Sequence, residues 1–167
     1  MSNIAPLSAI DQLLQEAVLN GDILLINFFP TAFGSAIAGG ATLQDSIVID
    51  QDSFFILYGW NANVEQPAGT NVAFPDLTVD VRNQGSGRYF SKNPMHFNTV
   101  LGNAQNTFYF VTPMVISGGS NLQITLVSPS ATAYARVDMT WIGVKARALN
   151  NFDLLSLFSP ADFAYTR

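Results

Sequence analysis

The sequence contains no cysteine and a single histidine, His96, in 167 residues. Without cysteine these residues can form neither a disulfide nor a thiolate metal site, and one histidine cannot build an imidazole cluster. Functions that depend on a thiol or on several histidines around a metal are therefore excluded. We predict no cofactor and no metal.

Charge is also scarce. Charged residues make up 11% of the chain, whereas apolar residues make up 49% and phenylalanine occupies 13 positions; soluble domains usually carry about 25% charged residues. Exposed apolar patches usually mark interfaces, so this composition suggests that other subunits cover part of the surface. The alternative is a surface coated by Asn, Gln, Ser and Thr.

The few charges are unevenly distributed. Residues 1–81 contain nine acids and no base, whereas residues 82–167 contain seven bases and three acids. The two halves either face each other within one domain or form complementary patches between subunits, which would guide orientation more than they add affinity. The net charge of −5 argues against a nucleic-acid partner, because binding to phosphates needs a basic surface.

Long hydrophobic runs are missing as well. The most apolar run, residues 17–29, is interrupted by Asn20, Gly21 and Asp22 and is shorter than the ~20 residues that a membrane helix needs. The first ten residues lack the basic and apolar regions of a signal peptide. We therefore predict no membrane partner and synthesis in a cytoplasm.

The first 22 residues are predicted to form an N-terminal arm with one short amphipathic helix. Ser8 is a suitable N-cap, and Gly21 can take the left-handed conformation after the last turn. A helix of three turns is marginal alone, so its apolar stripe must dock on this domain or on a neighbour. Apolar residues recur at helical spacing at Ile10, Leu13, Leu14, Ala17 and Val18.

Residues 23–148 show the pattern of β-strands. In residues 77–83, Leu77, Val79 and Val81 alternate with polar residues, and the Gly- and Asn-rich turn 83–87 follows. Many short strands with such turns predict an all-β fold. We expect an antiparallel two-sheet β-sandwich of the jelly-roll type, with an immunoglobulin-like sandwich as the alternative.

Several boundaries within this region follow from turn-forming residues. Residues 51–52 are predicted to form a hairpin or a tight corner, and a strand at 107–111 is expected to end at Pro113. The Gly- and Ala-rich residues 33–41 and residues 61–74 are predicted to be loops. A short strand is expected within residues 93–101.

Residues 149–167 are predicted to form an extended C-terminal docking tail. Each large apolar side chain gains ~1.5–3 kcal/mol when buried, so the tail should fold back over an open sheet edge or, as we prefer, reach a partner. Arg88 and Lys92, in the basic half, are further interface candidates. The interface candidates in the tail are Phe152, Leu154, Leu155, Leu157, Phe158, Phe163 and Tyr165.

None of the polar residues forms a convincing catalytic or metal-binding pattern. Residues 50–53 have the oxygens for a Ca²⁺ site but lack the remaining ligands of a known loop. Asp76 and Asp80 would lie ~13 Å apart along a strand, which is too far for a glycosidase pair. His96 could act as a base beside Ser91 or Asp138, but nothing in the sequence brings them together.

Two further features have ordinary structural explanations. Residues 85–88, Gly-Ser-Gly-Arg, lack the following helix and the Gly-Lys-Ser/Thr of an anion-binding loop. Aromatic side chains that could stack on a sugar fall within apolar strands, where core packing is expected. They are Tyr58, Trp60, Tyr134 and Trp141. We predict no catalytic residue, and an enzyme is the least expected class.

Four segments together carry a resemblance to a known family: LTVDVRNQGSGRYFSKNPMH (77–96), GNAQNTF (102–108), GGSNLQITL (118–126) and VDMTWIGVK (137–145). Over residues 43–147, this pattern of strands and turns resembles the auxiliary capsid proteins, also called cement or decoration proteins, of tailed bacteriophages. The resemblance implies a jelly-roll structural subunit, commonly a homotrimer. Such a subunit would sit on the capsid exterior of the virion, between capsomers of the major capsid protein.

Two other functions remain open. The first is a subunit of a phage tail or of a head-to-tail connector, which would be present in few copies per virion. The second is a glycan-binding sandwich that acts in adhesion. It would need an exposed aromatic platform near residues 61–74.

Overall fold

The computed structural model describes residues 9–103 and 106–157. In chain order the elements are α1 (Ala9–Leu19), β1 (Ile23–Phe28), β2 (Thr31–Ile37), β3 (Thr42–Val48), β4 (Ser53–Glu65), β5 (Thr78–Asn83), β6 (Arg88–Tyr89), β7 (Met95–His96), α2 (Phe97–Val100), β8 (Gly102–Asn103), β9 (Phe108–Ile116), β10 (Asn121–Val127), β11 (Tyr134–Ala148) and a 3₁₀ turn (Leu154–Leu157).

The strands form two sheets. In sheet A, β11 and β4 are central; β1 and β2 pair with the other side of β11, and β8 and β9 pair with the other side of β4. In sheet B the order is β3, β10, β5, with β6 and β7 both paired to β5. Neighbours are antiparallel, apart from the short parallel contact of β4 with β8. The predicted all-β, antiparallel two-sheet sandwich is confirmed.

The first half of the chain pairs with the second half in reverse order. β2 pairs with β11, β3 with β10, β4 with β9, and β5 with β6 and β7. Because β3 belongs to sheet B and β4 to sheet A, residues 51–52 form a corner between the sheets. Of the two forms predicted for these residues, the corner is the one found.

The main core lies between the two sheets. Alternate residues of the strands point inwards, as in β10, where Leu122, Ile124 and Leu126 are fully buried. At the centre, the rings of Trp60 and Trp141 meet edge to face with their centroids 5.5 Å apart. Aromatic pairs of this geometry are worth about 0.5–1.5 kcal/mol beyond the burial of their area.

A second core lies on the outer face of sheet A, under α1. Ile10, Leu14 and Ala17 of the helix pack there against Phe54 and Ile56 of β4. β4 is therefore covered on both faces, which explains its continuous apolar run, since a strand with one wet face would alternate. The helix spans the predicted residues, and Gly21 has a φ of 74° after its end. Ser8 lies outside the described residues.

The prediction of a loop at residues 33–41 is wrong for most of that segment, because β2 extends to Ile37 along the edge of sheet A. The strand is irregular: its pairing with β11 shifts register, and Phe33 and Gly34 have φ values of 74° and 76°. The Phe33 N–H donates to the Asp45 carboxylate, 2.6 Å away on β3. Pairing with the long strand β11 and this hydrogen bond hold β2 in a strand conformation, although its small residues do not predict a strand.

Three further boundaries differ from the prediction. β4 continues to Glu65, so only the later part of residues 61–74 is a loop. β9 continues through Pro113, which is compatible with its position at a sheet edge, where a missing N–H is tolerated. Within residues 93–101, the expected short strand is the two-residue β7, and the helical turn α2 follows it.

Candidate interaction surfaces

One flank of the sandwich, which we call the basic edge, consists of β9 in sheet A and of β6 and β7 in sheet B. An apolar cavity of about 160 Å³ opens between them. Tyr109 is 63% exposed and Val111 is fully exposed on β9, and no residue of this nine-residue strand is charged. The cavity is lined by Trp60, Phe90, Met95, Val100, Phe108, Phe110 and Met114.

This flank carries three bases, and two acids lie beside them: Asp80 on β5, and Asp76, which is 3.9 Å from His96 of β7. Arg82 on β5 lies over the ring of Tyr89, 5.4 Å from its centroid; Arg88 lies in β6 and Lys92 in the loop that follows β6. The sequence from Arg82 to Val137 contains no acid. Within the described parts of the chain, none of the three bases forms an ion pair. The interface candidates Arg88 and Lys92 therefore belong to this flank.

The opposite flank, which we call the acidic edge, consists of β1 and β2 in sheet A and of β3 in sheet B. The Phe33–Asp45 hydrogen bond ties the two sheets together there. No residue of β1 is charged, and residues 20–53 contain no Lys or Arg. Apolar side chains are exposed on or beside these strands at Leu24, Ile26, Phe29 and Val48.

Four carboxylates lie along or beside the acidic edge. Asp50 and Asp52, in the corner after β3, are paired with Lys145 at 2.6 Å and with Arg147 at 2.7 Å. The hydrogen bond and the charge of Lys145 lower the pKa of Asp50 below its ordinary value. The other two, Asp22 and Asp45, form no ion pair within the described residues. The two edges thus differ in the sign of their net charge.

The described part of the predicted docking tail packs on its own chain. Leu154 is 8% exposed in the second core, and Phe152 and Leu157 are partly buried against it. These three side chains are therefore engaged within the molecule, whereas Leu155 is 60% exposed and stays an interface candidate. Phe158, Phe163 and Tyr165 lie outside the described residues.

An open groove of about 500 Å³ lies beside the 3₁₀ turn. Its lining mixes apolar side chains, such as Phe54 and Leu155, with carboxylates, such as Asp52 and Asp153. The two carboxylates have other partners, because Asp52 pairs with Arg147 and Asp153 accepts a hydrogen bond from the Leu155 N–H. The carboxylates of the groove are therefore engaged within the chain.

The polar residues considered for catalysis have separate partners. His96 lies 3.9 Å from Asp76, and both side chains are about half exposed. Ser91 donates a hydrogen bond to the Asn93 carbonyl, and Asp138 pairs with Arg136. Residues 9–103 and 106–157 contain no group of three His, Asp or Glu that could hold a metal ion.

Asp80 lies on the outer face of sheet B, since its strand neighbours Val79 and Val81 are buried in the main core. One of its carboxylate oxygens is buried without a hydrogen-bond partner. Burial raises the pKa of Asp80 above its ordinary value. Among the residues that the structure describes, Asp80 belongs to no group that could hold a metal ion, and its ionised form is a local source of instability.

The aromatic platform expected for a glycan-binding module amounts to one exposed ring near the predicted loop, Phe74, which is 81% exposed. Trp60 and Trp141 are buried in the main core. The Tyr134 hydroxyl accepts a hydrogen bond from the Asp76 N–H, and the Tyr58 hydroxyl donates one to Asp11. These four aromatic side chains serve packing and structural hydrogen bonds.

Comparison with known proteins does not assign a family. No protein-family model matches the chain, and no curated protein matches it. None of the described helices has the length and the apolar character required to cross a membrane. Evidence for the function therefore comes from the surfaces of the molecule. Two of these, the exposed edges, were missed in the sequence, although the lack of charge in residues 23–28 and 108–116 was a usable signal.

Proposed function

We propose that this protein is a structural virion protein: a capsid cement or decoration subunit that binds the outer surface of a phage head between capsomers and stabilises it. The observation that carries the proposal is the pair of sandwich edges whose outermost strands in sheet A, β1 and β9, expose apolar side chains and contain no charge. Natural sheet proteins usually protect their edges with charges, so such edges favour coverage by partners.

The order of the strands supports a jelly roll as the specific type of sandwich. Each sheet has four positions across its width, and the two halves of the chain pair in reverse order from β2–β11 to β5–β6. This is the arrangement of a long antiparallel hairpin that is rolled into two sheets. Jelly rolls of eight strands are frequent in capsid proteins.

The proposed partners are further copies of this chain, as a homotrimer, and the major capsid protein. A shell presents the same binding site many times, so an oligomer can bind several sites at once and gain avidity from contacts that are individually weak. This arrangement suits a chain with apolar edges and little charge. The proposal includes no reaction and no nucleic acid.

The proposal can be tested with parent particles that lack this chain. We expect heads to assemble without it but to lose their genome at a lower temperature than complete particles, and the purified chain to restore the original temperature when added back. Shells of unchanged heat stability without the chain would contradict the proposal. Tailless or unsealed heads would instead favour the tail or connector subunit, as would few copies per particle.

A further inference from the structure

We infer that the basic edge of one copy docks against the acidic edge of a second copy, so that the subunits associate head to tail. The partner is thus another molecule of this chain, and the contact joins two different surfaces. The inference deepens the proposed function, on which it rests for the need to self-associate, by naming the surfaces that join the subunits.

Both edges have a strand whose outer side is open to pairing with another chain. Within the described residues, β1 pairs only with β11, and β9 pairs only with β4, so each leaves a free side. Neither strand contains a charged residue, and Ile26 and Val111 are among their exposed apolar side chains. An exposed apolar edge strand is a template for pairing with another chain.

The charges of the two edges are complementary. The basic edge has three bases without ion pairs, Arg82, Arg88 and Lys92, which outnumber its acids Asp76 and Asp80, and the acidic edge has two carboxylates without ion pairs, Asp22 and Asp45. Opposite charges on two surfaces attract and orient them, whereas like charges opposite each other are destabilising. The basic edge therefore fits the acidic edge of another copy better than it fits a second basic edge.

The positions of the two edges allow the same contact to repeat from one subunit to the next. The two edges lie on opposite sides of sheet A, separated by the central strands β11 and β4. In an open row of subunits joined head to tail, one edge of each kind stays free at the two ends. Closing the row into a ring covers these last two edges as well. The same contact repeated around an axis gives a cyclic oligomer in which every apolar edge is covered.

Lysine substitutions can block one edge at a time. Val111→Lys places a charge on the basic edge and Ile26→Lys places one on the acidic edge; both side chains are exposed, at 103% and 42%, so the subunit should still fold. Thr125→Lys adds the same charge to the central strand β10 of sheet B, which belongs to neither edge. Circular dichroism and thermal unfolding verify that each variant is folded.

Light scattering at micromolar concentration then gives the mass of each species. We expect the unmodified chain and Thr125→Lys to be oligomers, and Val111→Lys and Ile26→Lys each to be a monomer of 18.1 kDa. An equimolar mixture of the two edge variants should form a dimer, because each supplies the edge that the other has lost. An isologous contact predicts instead that one of the variants dimerises alone.

Three results would overturn the inference: a monomeric unmodified chain, folded edge variants that keep the original oligomer, or a mixture that stays monomeric. The proposed function fails in a different way. If the oligomer forms as described but does not bind shells that lack the chain, the edge contact stands and the cement role is wrong. If edge variants are monomers and still bind such shells in full, the cement role stands without this contact.

Discussion

The Tyr58 hydroxyl forms a polar link between α1 and sheet A. It donates to the Asp11 carboxylate at 2.6 Å, and burial together with this bond raises the pKa of Tyr58 above its ordinary value of 10.0. We expect Tyr58→Phe to lower the free energy of unfolding by about 1.5–3 kcal/mol, the usual range for a hydrogen bond to a charged group.

Tyr109→Phe, at an exposed tyrosine, is the matched control and should change the free energy of unfolding by less than about 0.5 kcal/mol. Denaturant unfolding measures both variants. Because the folded state keeps the Tyr58 proton more tightly than the unfolded state, this residue makes stability fall as the pH rises above 10.0. Equal losses in the two variants would contradict the role assigned to Tyr58.

The carboxylates of Asp80 and Asp50 make the stability of the protein depend on pH in opposite directions. Burial raises the pKa of Asp80, so its ionised form costs stability at neutral pH, and this cost disappears as the pH falls through the raised value towards 3.8. Asp80→Asn should therefore stabilise the protein at pH 7, by less than about 1 kcal/mol since the carboxyl is only partly buried, and the gain should vanish in acid.

Asp50→Asn should have the opposite sign. The neighbouring Lys145 lowers the pKa of Asp50, so its ion pair contributes stability above pH 3.8 that is lost as the pH falls below this value. Urea unfolding across a pH series compares the two variants. A destabilised Asp80→Asn at neutral pH would show that the unpaired carboxylate oxygen has a partner in solution.

At the scale of elements, the 3₁₀ turn at Leu154–Leu157 is held to the outer face of sheet A by one deeply buried side chain. Leu154 is 8% exposed and Leu155 is 60% exposed. Leu154→Ala should cost about 2–5 kcal/mol, as for other buried leucines, whereas Leu155→Ala should cost less than about 0.5 kcal/mol. Thermal unfolding of the two variants measures this difference. Similar small losses would mean that the turn does not pack on the sheet in solution.

Elements with a regular hydrophobic pattern could be predicted from the sequence. α1 has its apolar residues at helical spacing, and β5 alternates buried and exposed residues, so each was found close to its bounds. β2 could not be predicted, because its pairing with β11, rather than its own Gly- and Ala-rich side chains, makes it a strand. The second core could not be predicted from the sequence for a similar reason, because it depends on which face of sheet A the helix covers.

At the scale of the whole molecule, the charges are separated between two flanks of the sandwich. We expect Lys92→Glu and Asp22→Lys each to weaken association of the chain by roughly three- to tenfold, because each places like charges opposite each other. Exchanging both charges should restore much of the affinity. Sedimentation at low salt measures the association, and the effect should shrink as salt rises, since both sites are accessible to solvent.

Additive losses in the double variant would show that these two charges do not face each other across the contact. The charge asymmetry itself was visible in the sequence, where all bases follow residue 81. Its division between opposite edges was not, because only the strand order places β6 and β9 on one flank and β1 and β3 on the other. Arg88 and Lys92 were found as interface candidates, whereas Val111 and Ile26 were missed.

The central claim is that this chain covers its apolar edge strands, β1 and β9, by assembling with its own copies on a larger shell. Cryo-electron microscopy of the assembled particle tests it most directly. The account predicts density for this fold on the capsid exterior, with β9 of one copy beside β1 or β2 of the next. A particle whose exterior lacks this fold, or one in which these edges face solvent, would contradict it.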